Sequence, residues 1–68
     1  MYVIVMKSRT TNETFAVVKN LSGEPCRFSD YAMAERAAHE KNLNIKNDEF
    51  VWVVKEDDGV YFKVNNEN

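Results

Sequence analysis

Apolar residues gather in short runs with polar breaks, and the first run, Tyr2-Val3-Ile4-Val5-Met6, is too short for a helix and rich in β-branched residues. It predicts a strand over Tyr2 to Lys7 that is apolar on both faces, with Tyr2, Ile4 and Met6 on one side and Val3 and Val5 on the other. Such a strand suits an interior position between neighbours. Ser8 to Asn12 then reads as a hairpin loop into a second strand over Glu13 to Lys19, carrying Phe15, Val17 and Val18. The cluster Asn20 to Pro25 is a turn, and Cys26 to Phe28 reads as a short third strand with Pro25 at its start, where no ladder donor is needed.

Helical spacing takes over from Tyr31 to Lys41, placing Tyr31, Ala34, Ala37 and Ala38 on one face and Glu35, Arg36, His39 and Glu40 on the other. Ser29 fits the N-cap, Asp30 puts negative charge at the positive helix end, and Phe28 and Met33 have the spacing of a hydrophobic staple. Asn42 suits a left-handed stop with Leu43 folding back as its partner, and Ile45 is placed at the edge of the core. Glu49 to Glu56 and Val60 to Val64 read as two strands around Asp57-Asp58-Gly59. A three-residue turn with Gly59 in the left-handed bulge position pairs Glu56 with Val60. That register separates an apolar face (Phe50, Trp52, Val54, Phe62, Val64) from a mixed one (Val51, Val53, Lys55, Tyr61, Lys63).

The expected architecture is α+β in the order βββαββ: one domain over residues 1–64 with a small, mainly antiparallel sheet, one helix on its Trp52 face, and a frayed tail over 65–68. The other sheet face is expected to lack a cover. Patterning leaves open whether the fifth or the fourth predicted strand lies beside the first.

Composition narrows the function more by exclusion than by assignment. With 68 residues the chain has room for one small core, which buries only about 60% of the surface the unfolded chain exposes. It is 44% hydrophobic and 29% charged, the balance of a folded domain. Eleven acidic and nine basic residues give a net charge of −2, against the basic footprint of a non-specific nucleic-acid binder. A lone Cys26 makes no internal disulfide, and no signal or membrane span is legible, so cytoplasmic residence is expected. Asn12-Glu13-Thr14 and Asn20-Leu21-Ser22 match the glycosylation triplet, which an asparagine-rich chain explains without a secretory route.

No cofactor, metal site or catalytic group is expected. One Cys and one His cannot build a structural zinc site, and Gly23 and Gly59 stand apart, which leaves no phosphate-cradling loop. Cys26 and His39 form a nucleophile pair only on paper; they read more simply as a small apolar residue and a solvated helix residue. The run Glu56-Asp57-Asp58 lacks EF-hand spacing and reads as turn chemistry, then as contact with a basic surface, and last as a weak cation site. The mixed face of Val51, Val53, Lys55, Tyr61 and Lys63 is the candidate partner-binding surface, because monomers seldom leave a broad apolar face unused. The partner expected there is a protein or a second copy; single-stranded nucleic acid is the alternative, stacked on Tyr61 and tracked by the lysines.

The chain opens Met1-Tyr2-Val3-Ile4-Val5, and its one helix runs through Phe28-Ser29-Asp30-Tyr31-Ala32 and Ala34-Glu35-Arg36-Ala37-Ala38. In size and layout it is similar to small proteins of phages and mobile elements, among them type I anti-CRISPR inhibitors. The resemblance implies a non-enzymatic inhibitor in the host cytoplasm that binds an RNA-guided surveillance complex and blocks recognition of target DNA. On that reading Glu56, Asp57 and Asp58 would imitate phosphate charge against a basic groove.

Overall fold

The computed structural model describes residues 1–59. It contains β1 (Tyr2–Ser8), β2 (Thr14–Val17), α1 (Tyr31–Leu43) and β3 (Phe50–Glu56). The three strands form one antiparallel sheet in the order β2-β1-β3, with the helix packed on it. The fold is therefore α+β, with the fourth predicted strand beside the first. The predicted strand Val60 to Val64, its pairing with Glu56 and the tail 65–68 lie outside the described residues.

β1 is the axis of the molecule, as its two apolar faces require. Val3, Ile4 and Val5 are all 0% exposed. The β1–β3 ladder runs without a break from Tyr2 opposite Glu56 to Ser8 opposite Phe50. It is lengthened at both ends, where Asp57 N–H donates to Met1 O at 2.8 Å and Arg9 N–H donates to Glu49 O at 2.7 Å. On the other side the β1–β2 ladder shifts between Met6 and Lys7, and Phe15 is the residue left over. Its ring meets that of Phe50 edge-on, centroids 5.4 Å apart, so the bulge carries an aromatic contact across the sheet.

The β1–β2 connection is organised by Ser8, whose hydroxyl accepts from the amides of Thr10 and Thr11 at 3.2 Å each. Asn12 turns the chain at φ 63°, a left-handed conformation that asparagine tolerates. Cys26 to Phe28 does not form a strand. Isolated bridges stand in its place, Phe28 with Tyr2 and, just before the segment, Pro25 with Lys19. The segment changes partner along its length, Cys26 N–H donating to Val18 O at 2.9 Å and Phe28 exchanging backbone bonds with Tyr2, so no two successive pairs extend one ladder.

The helix begins one residue later than the sequence suggests. Asp30 is the N-cap, its carboxylate accepting from Ala32 N–H at 3.0 Å, and Ser29 stands outside. The shift breaks the staple: Met33 is 62% exposed. At the other end the helix passes through Asn42 to Leu43, with Asn44 as a C-cap at φ −102°, so Asn42 is helical and not a left-handed stop. Leu43 is 70% exposed and does not fold back. Ile45 is half-buried just beyond.

Tyr2 meets Tyr31 edge-on at 5.3 Å and Lys41 lies over the Trp52 ring, which sets α1 on the Tyr2-Ile4-Met6-Trp52-Val54 face. The buried helix residues are Ala34 and Ala38, small enough to bring the axis close to the sheet. The opposite face is not open at its centre. Val3, Val5 and Val17 form a buried cluster there, with Val53 packed against it. The expectation of an uncovered face fails at these positions.

Capping chemistry gives a direct check on the helix start. Asp30→Ala is expected to cost about 1 kcal/mol, since it removes the acceptor for Ala32 N–H, whereas Ser29→Ala should stay within ~0.5 kcal/mol. Urea unfolding of the two variants distinguishes them; equal losses would put the cap elsewhere.

Candidate functional site

Asparagine 42 is where the helix meets the edge of the sheet. Its side-chain Oδ1 accepts from Trp52 N–H at 2.8 Å, and its Nδ2 donates to Trp52 O at 2.9 Å. A carboxamide offers one acceptor and donors in one plane, so it can satisfy both main-chain groups of a strand residue at once. Those groups of Trp52 face away from β1, on the outer edge of β3. One turn of chain earlier, Asn47 O accepts from Phe50 N–H at 3.3 Å on the same edge.

Between α1 and this edge runs an open groove of about 730 Å³. Its helix side is a stripe at helical spacing, Tyr31, Glu35, Ala38, His39 and Asn42, and its floor is Trp52 to Val54. Its lining mixes apolar side chains, Trp52, Val54 and Ala38, with polar ones, Glu35, Arg36, His39 and Asn42, the first three of which carry or can carry charge. Lys41 Nζ lies 5.3 Å from the centre of the Trp52 ring, a cation–π contact.

Tyr31 closes the other end. Its hydroxyl donates to Glu35 Oε2 at 3.2 Å, four residues along the helix. The negative charge of Glu35 and this hydrogen bond both hold the Tyr31 phenol above its ordinary value. The neutral phenol is the form that donates, so the contact is present at neutral pH and is lost as pH rises through the raised value.

The residues singled out from sequence fall in two places. Val51, Val53 and Lys55 share the face of β3 opposite the helix; Val51 stands across from Lys7, and Val53 belongs to the packed cluster. Glu56 ends β3 and is exposed. Asp57 pairs with Arg27, and Asp58 pairs with Lys55 at 2.9 Å. Two carboxylates of the acidic run therefore have cationic partners within the chain, and Lys55 is drawn to the turn. Tyr61 and Lys63 lie outside the described residues.

The groove was not anticipated from the sequence. Its one visible signal is the spacing of Tyr31, Glu35, Ala38 and Asn42 along a single helix stripe. Among the described residues no group of His, Cys, Asp or Glu side chains is arranged to hold a metal ion, and no helix is long and apolar enough to cross a membrane. Comparison with family models, curated proteins and solved structures finds no match to this chain.

The Tyr31–Glu35 pair is open to a direct titration. Following the Tyr31 ring by NMR, Glu35→Gln is expected to lower the phenol titration, because the carboxylate charge is removed while an acceptor remains. An identical titration in the variant would show that Glu35 is not the cause.

Proposed function

We propose that this chain is a non-enzymatic protein-binding module that uses the groove between α1 and β3 to hold a protein partner. The groove itself carries the reading: the Trp52 side chain lies beside Glu35, Arg36 and His39 in one open groove. Apolar centres with polar rims are the anatomy of protein interfaces, and Trp, Tyr and Arg are the residues that most often dominate their energetics. In the setting that the sequence resemblance implies, the partner is a host defence complex, an RNA-guided surveillance complex in the cytoplasm, and the chain is a phage-encoded inhibitor of target recognition.

The pairing of Asp57 with Arg27 and of Asp58 with Lys55 favours the groove over the acidic turn as the contact surface. A phosphate imitation needs charge that is available to a basic partner, and part of this charge is already answered. The same pairing occupies Lys55, which the nucleic-acid alternative requires.

The test uses purified, nuclease-treated surveillance complex mixed with the chain and resolved by size-exclusion chromatography, with target-DNA binding measured alongside. A stoichiometric complex and reduced DNA binding are expected. Arg36→Ala with His39→Ala should remove both, and as the two residues are exposed and alanine suits a helix, the fold should be kept. Equal binding by the double variant would exclude the groove, and no complex with the wild-type chain would exclude this partner.

A further inference from the structure

The outer edge of β3 is a row of main-chain groups that alternate between facing β1 and facing outward. Trp52 faces outward, as its bonds to Asn42 show, and Val54 and Glu56 follow at the same parity. Along this edge Phe50 N–H is taken by Asn47 O, both groups of Trp52 by Asn42, and Glu56 O is approached by Lys55 Nζ at 3.4 Å. The N–H and C=O of Val54 have no partner among the described residues.

A strand edge of this kind is a template for another strand, and its own sequence is self-complementary. Antiparallel pairing of two copies about a twofold axis at Val54 sets Val54 opposite Val54, Trp52 opposite Glu56, and Val53 opposite Lys55. No like charges meet in that register. Moving the axis to Lys55 sets the two lysines opposite each other, which opposes pairing. In the favourable register the outward groups of Trp52 would bond to Glu56 of the second copy, and those are the groups Asn42 already holds.

We propose that Asn42 is an edge guard: its carboxamide occupies the main-chain groups of Trp52 and so blocks pairing of β3 with a second copy of the chain. The guard sits on the helix and acts on the sheet, so helix docking and protection of the edge are one event. The inference is independent of the function proposed above, since it concerns the chain alone and no partner protein.

Sedimentation equilibrium over a concentration series, with far-UV circular dichroism to confirm folding, tests it. The wild-type chain is expected to keep the mass of one copy. Asn42→Ala should show a mass that rises with concentration towards two copies. Asn42→Ala combined with Val54→Pro, which removes the donor at the centre of the register, should return to one copy. A folded Asn42→Ala chain that stays monomeric overturns the proposal, and so does association that survives Val54→Pro. Should Asn42→Ala unfold, Asn42→Gln carries its amide one methylene past Trp52 and is the second opening variant. It is expected to associate in the same way, and a folded, monomeric Asn42→Gln chain overturns the proposal too.

Discussion

A helix whose buried residues are two alanines brings little apolar area of its own to the sheet, and two hydrogen bonds from Asn42 to Trp52 add to its docking. Two alanine methyls contribute about 1–2 kcal/mol on burial. Two hydrogen bonds contribute about 0.5–1.5 kcal/mol each, and leaving the Trp52 groups unpaired would cost more than that. The polar pair adds to the apolar contact that the helix makes over Ile4, which is 0% exposed, and through Tyr31 on Tyr2. It is also directional: the amide plane fixes how far α1 lies along β3, and with it the width and the floor of the groove.

The sheet beneath was legible because its signals are local. Five apolar residues on both faces of Tyr2 to Met6 can be buried only in a central strand, and β1 lies between β2 and β3. Gly59 adopts φ 83°, the left-handed conformation that the turn chemistry of Asp57-Asp58-Gly59 requires. The less legible features depend on distance. Asn42 at the end of an amphipathic run looks like a helix stop, and nothing nearby in the sequence says that its amide will meet the backbone of Trp52, ten residues on. Ser29 and Asp30 are both good caps, and patterning could not decide between neighbours. The buried centre of the Val3 and Val5 face was missed because strand alternation shows which residues share a face and not what lies over it.

The candidate site shows the same division. Formal charge and alternation point to the exposed-looking face of β3 and its acidic turn. Three-dimensional pairing redistributes that charge: Arg27, thirty residues away in sequence, reaches Asp57, and Lys55 turns to Asp58. What remains as a surface of mixed chemistry is the groove, whose two walls are joined by the Asn42 hydrogen bonds and the Lys41–Trp52 contact.

Hydrogen exchange at two neighbouring amides tests the clasp most directly. Trp52 N–H, bonded to Asn42, and Val53 N–H, which faces β1, should both be protected in the wild-type chain. In Asn42→Ala under conditions where the chain is monomeric, Trp52 is expected to lose its protection while Val53 keeps it. A Trp52 amide that exchanges at the same rate in both proteins would contradict the role given to Asn42.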